Sequence, residues 1–176
     1  MSIAARINES IAKFQKNELD NSAIQAFIAT DGTAKKVLNI NANKQRFTKY
    51  IENNLDLISK VMFLIDEIPY NNFLNGKKFA ELVYEMRCSI LHEGFINEII
   101  WDEKKLKFEN GFYFVPKSLI IALLITAVVQ KENIDEPIEK GIITEFYYKK
   151  NGIRIRYIEF KGKKTNLLEK FENLTK

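Results

Sequence analysis

Lys77-Lys78-Phe79-Ala80-Glu81-Leu82-Val83-Tyr84-Glu85-Met86-Arg87-Cys88-Ser89-Ile90-Leu91-His92-Glu93-Gly94 places its apolar residues at helical rather than alternating spacing, and puts a glycine where a helix should stop. On a wheel of about 100° per residue, Phe79, Leu82, Val83, Met86 and Ile90 share one arc and form a core stripe. Tyr84, Cys88 and Leu91 form a second apolar patch turned away from the first. Arg87 lies on one flank of that patch and His92 on the other, about 140° apart on a regular wheel. A helix packed on one side only has no use for a second apolar face. The patch therefore predicts a further buried contact, either a neighbouring helix or another copy of the chain.

Outward from this segment the pattern stays mainly helical. Ile3, Ile7, Ile11 and Phe14 predict a first amphipathic helix near 2–17. Ala23, Ile24, Phe27 and Ile28 predict a short second one, broken at Asp31-Gly32. Phe47, Ile51, Leu55, Ile58, Met62 and Ile65 predict one long helix that ends by Pro69. Residues 66–78 read as a loop. Two Asn-Gly pairs, Asn110-Gly111 and Asn151-Gly152, sit where two-residue hairpin turns need positive φ. They predict β-hairpins near 106–115 and 142–160. Between them a nearly all-apolar helix runs from Pro116 to about Lys131, and a short helix, 165–174, closes the chain. The expected fold is mainly α: a helical bundle with two added β-hairpins, residues 1–176 forming one domain.

The bulk properties narrow the function. With 46% hydrophobic and 28% charged residues the chain can bury a core, so global disorder is not expected. One cysteine excludes an internal disulfide, and one cysteine with one histidine leaves too few soft ligands for an ordinary zinc site. No metal or cofactor is expected. The N-terminal stretch reads as an amphipathic helix rather than a signal peptide. The most apolar run, 119–129, is too short to span a membrane. A reducing, cytoplasmic setting follows.

Tyr84 to Gly94 resembles the Arg-x4-6-His segment of HEPN (higher eukaryotes and prokaryotes nucleotide-binding) domains. The resemblance implies a helical bundle that forms a homodimer through its motif helices. It also implies metal-independent RNA cleavage, within a bacterial toxin–antitoxin or other defence system that supplies a partner protein. His92 would move the proton of a ribose 2′-hydroxyl, and Arg87 would hold the scissile phosphate, leaving a 2′,3′-cyclic phosphate. The residue types suit those tasks: imidazole titrates near neutrality, and guanidinium offers a charged fork of donors to phosphate oxygens. Active members usually carry a polar residue, often Asn or Asp, directly after the motif arginine, where this chain has Cys88. The alternative within the family is a non-catalytic module that binds a nucleotide, RNA or a protein.

Other readings compete at each position. A histidine in the last turn of a helix is favoured by the dipole alone. Arg87 could simply pair with a nearby carboxylate. Cys88, four before His92, is either a small buried hydrophobe or half of a Cys–His pair. Ser89 and Glu93 are candidates to support the imidazole, or else a back-bonded serine and a solvated glutamate. Tyr84, Cys88 and Leu91 are the candidate dimer surface. Residues 140–164 hold eight Lys or Arg against two acids, a net +6 in a chain of +4. With a two-residue turn at Asn151-Gly152, Tyr147 would face Arg156. Tyr147, Lys149, Lys150, Arg154 and Arg156 then form either an RNA-binding ribbon or an edge hairpin kept soluble by lysine.

Overall fold

A computed structural model describes residues 2–68, 76–93, 99–102, 106–138, 145–148 and 153–175, the side chains of 77, 92, 93, 145–148, 153–155 and 175 excepted. Ser2 opens α1 (Ile3–Gln15) by accepting the Ala5 N–H on its side chain, and Lys16 and Asn17 close it, Asn17 at φ 58°. The chain then returns as α2 (Leu19–Val37), antiparallel to α1. Ser10 and Ser22 lock this helical hairpin: each hydroxyl donates to the other's backbone carbonyl, at 2.7 and 2.8 Å, in a fully buried setting.

The predicted break at Asp31-Gly32 does not occur; α2 runs through both. A Cβ on Gly32 would meet Ile3 Cγ1 at 3.2 Å, so the glycine serves the close approach of α1 rather than a turn. The opposite correction applies to the long helix expected from Phe47 to Ile65. It is two helices, α3 (Asn43–Asn53) and α4 (Leu55–Asp66), divided at Asn54. The Asn54 N–H bonds Ile51 O (3.1 Å), and its side-chain amide takes Tyr50 O instead (2.8 Å), so a side chain replaces the backbone bond that would continue the helix.

The motif segment forms α5 (Gly76–Cys88), followed directly by a π turn (Ser89–Glu93). Past Cys88 the regular wheel no longer holds, and with it goes the 140° separation of positions 87 and 92. Strands β1 (Ile99–Trp101), β2 (Lys107–Glu109) and β3 (Phe112–Val115) make a small sheet of order β1-β3-β2. The expected hairpin at Asn110-Gly111 is its β2–β3 half, with φ of 54° and 83° at the two turn residues. The sequence pattern missed β1, which adds parallel to β3.

Helix α6 (Ser118–Val128) is buried on nearly every side, and Asp66 accepts its first N–H at 3.1 Å. Strands β4 (Glu145–Tyr148) and β5 (Ile153–Arg156) form the second hairpin, and α7 (Lys164–Thr175) ends the fold. The β4–β5 register corrects the expected one: Tyr147 pairs with Arg154, and Glu145 with Arg156. Four residues, 149–152, lie between the strands instead of two. A slip of two keeps every residue on its own face, so apolar alternation could not distinguish the registers. The fold is mainly α, with seven described helices around one core from Ala4 to Phe171. Among the described residues no helix is long and apolar enough to cross a membrane.

Candidate functional site

Helix α5 buries one apolar face in the core and sets part of the other against a neighbouring helix. Phe79, Val83, Met86 and Ile90 are buried in the core. Tyr84, from the second patch, packs its ring on Phe47 of α3, with centroids 5.8 Å apart. Leu91 is partly buried against the same core. Of the two occupants that patch allowed, Tyr84 meets a neighbouring helix.

Arg87 is 8% exposed, and its guanidinium donates to Asp31 Oδ2 of α2 at 2.9 Å. The other oxygen of Asp31 lies 3.5 Å from Arg46 of α3, itself 7% exposed. Arg46 also donates to Ile40 O, Asn41 O and Asn43 Oδ1. One carboxylate therefore ties α2 to both α3 and α5. Arg87 and Lys44 each lie just under 6 Å from the Tyr84 ring centre, at 5.9 and 5.8 Å. The nearby Cys88 thiol, then burial, raises the Tyr84 phenol above its ordinary range. Cys88 is a half-buried free thiol.

Ser89 is buried at the first position of the π turn. The backbone of His92 and Glu93 belongs to that turn, while their side chains lie outside the described residues. Of the basic ribbon, Lys149 and Lys150 lie outside the described residues, as do the side chains of Tyr147 and Arg154. Arg156 is exposed and 4.0 Å from Glu159. Among the described residues no group of three or more His, Cys, Asp or Glu could hold a metal ion. A shallow apolar pocket lies between Ile11, Phe14, Ile121, Leu124 and Tyr157, and no motif residue lines it.

The structure thus brings Arg87 together with three residues that the sequence pattern did not single out: Asp31, Arg46 and Lys44. Asp31 had a signal, but one that pointed elsewhere. Next to Gly32 it read as a turn, whereas it is the carboxylate that holds the motif arginine. A family model described as Rv1289 matches residues 2–175, hence all seven described helices and both sheets. No curated protein and no solved structure matches the chain.

Proposed function

The chain belongs to the Rv1289 family; we propose, from its own residues, that it is a HEPN-like helical module that binds RNA without cutting it. The observation that carries this reading is the Arg87–Asp31 contact. A guanidinium nine-tenths buried and already bonded to a carboxylate is not presented to a scissile phosphate, and it holds helices together instead. RNA is the partner because positive charge concentrates in 140–164, on and around the β4–β5 hairpin. There the register sets Tyr147 opposite Arg154, a pairing suited to base stacking beside phosphate contact.

One observation favours a second reading, the metal-independent endonuclease. The motif helix changes to a π turn at Ser89–Glu93, the segment that includes His92, and π turns recur at functional sites. In that reading Arg87 leaves Asp31 for the phosphate, His92 moves the 2′-hydroxyl proton, and a second copy completes the site. A cytoplasmic defence or antitoxin partner belongs to this reading.

Purified protein incubated with labelled RNA in EDTA separates the two. Under the binding reading the RNA stays intact and is retarded in a gel. Charge reversal at Arg154 and Arg156 then weakens retardation and flattens the salt dependence, by roughly 0.7 in log–log slope for each phosphate no longer neutralised. Cleavage that vanishes in both Arg87→Ala and His92→Ala, each folded by circular dichroism, replaces the binding reading with the nuclease.

A further inference from the structure

The three-stranded sheet has an inner and an outer face, fixed by its register. Ile99, Trp101, Tyr113, Val115 and Phe108 share one face; Ile100, Phe112, Phe114, Lys107 and Glu109 share the other. The first face is the core-facing one, since Ile99, Tyr113 and Val115 are buried. Phe108 breaks that pattern. It continues the buried stripe onto the edge strand, packs tilted against Tyr113 with ring centroids 4.7 Å apart, and yet is 55% exposed. The inner apolar stripe therefore overruns the sheet, and it does so at β2, beyond which no described strand lies. Phe112 and Ile100, 42% and 40% exposed, add apolar surface on the outer face.

Backbone geometry sharpens the edge. In a hairpin with a two-residue turn, the residues flanking the turn form a hydrogen-bonded pair and the next pair does not. Glu109 and Lys107 thus direct their N–H and C=O groups to β3, while Phe108 directs both of its own outward. The three residues of β2 read Lys-Phe-Glu, with Lys107 and Glu109 on one face and their side chains in contact.

We propose that β2 pairs antiparallel with β2 of a second copy about a two-fold axis through Phe108, giving a continuous six-stranded sheet. The charge pattern is what selects a second copy as the occupant. Reversing Lys107-Phe108-Glu109 against itself sets each Lys107 opposite the other chain's Glu109, twice over. Phe108 meets Phe108, and their outward N–H and C=O groups bond reciprocally. The two charge pairs fall at non-hydrogen-bonded positions, where facing side chains are closest. A two-fold contact of this kind closes on itself and covers both exposed β2 edges, so it makes a dimer rather than a fibre. It uses no residue of α5 and does not depend on how the protein treats RNA.

The test uses the full chain and light scattering across about 1 μM to 1 mM. Wild type should approach twice the 20.5 kDa chain mass as concentration rises. Lys107→Glu alone and Glu109→Lys alone should each stay at the single-chain mass with an unchanged circular dichroism spectrum. An equimolar mixture of these two variants should return to the doubled mass, since each supplies the charge the other lacks. The double variant should do so by itself. A wild type that is monomeric throughout overturns the proposal. So do single variants that remain dimeric, which would move the interface elsewhere, the motif helix included, and so does a mixture that fails to recombine. An extended partner peptide on the same edge would leave the chain alone monomeric, the first of these outcomes.

Discussion

Asp31 carries more of the site than either residue of the motif. It is the carboxylate shared by Arg46 and Arg87, which are both nine-tenths buried. Removing one partner from a buried ion pair typically costs about 3–5 kcal/mol, because the remaining charge is left desolvated. Asp31 itself is 23% exposed on its side chain, and water takes up part of that loss. Asp31→Ala should therefore destabilise by about 2–3 kcal/mol in urea unfolding. A loss below about 0.5 kcal/mol would mean the arginines are satisfied without it, and Arg87 would again be available to a ligand. The arginine was legible from the sequence; its partner was not. Asp31 lies 56 residues upstream on another helix, and nothing in its own neighbourhood marks it as a binding carboxylate. A second carboxylate acts at a distance in the same way. Glu136 accepts the Ala4 N–H at the start of α1 and pairs with Lys36 at 2.6 Å. Lys36 foremost, with that N–H, holds the Glu136 carboxyl below its ordinary range. A depressed folded value stabilises the fold above the ordinary 4.5 and loses that contribution as pH falls through the folded value. Glu136→Gln should thus flatten the decline of the melting temperature below about pH 4.5, and an identical acid limb in the variant would refute the coupling.

Between Phe47 and Ile65 the apolar steps continue through Asn54 without interruption, so the sequence pattern alone makes one helix of two. What divides them is a single buried amide. Its Nδ2 takes Tyr50 O, and its Oδ1 accepts from Gln130 Nε2 at 3.0 Å. Asn54→Ala removes both bonds and leaves Gln130 half-buried against an apolar methyl. The expected cost is about 2 kcal/mol, read as a lower urea midpoint at unchanged slope. A variant as stable as wild type would show that α3 and α4 prefer to be continuous. Gly32 is the mirror case, a residue typical of turns held inside α2 by the approach of Ile3. Helices are legible because burial leaves a 3.6-residue rhythm, whereas breaks and continuations are set by contacts from far along the chain. Strand register shows the same limit. The turn at Asn110-Gly111 was readable to the residue, because both positions need positive φ. The β4–β5 register was not, because period-two alternation is blind to a shift of two.

At the scale of the molecule, α7 decides whether the chain is one cooperative unit. It comes last, yet Leu167 and Phe171 are fully buried in the same core that begins at Ala4. Polar contacts fix its position at both ends. Lys164 donates to Asn53 O, the last carbonyl of α3, at 3.0 Å, while Glu172 meets Lys60 of α4 at 3.4 Å. Burial beside that carbonyl lowers the Lys164 ammonium from its ordinary range, so part of the bond's benefit offsets desolvation. The apolar contacts must then supply most of the docking. Phe171→Ala should cost about 3–5 kcal/mol, from forfeited transfer energy and the cavity left behind, whereas Lys60→Ala, which removes its partly exposed ion pairs with Asp56 and Glu172, should cost about 1 kcal/mol at most. Because the core is continuous, the larger destabilisation should move the whole melting transition, with near- and far-ultraviolet dichroism falling together. If Phe171→Ala instead produced an early transition confined to a small helical signal, α7 would be a separately melting appendage. The remaining six described helices would then have to hold Asp31, Arg46 and Arg87 together without it.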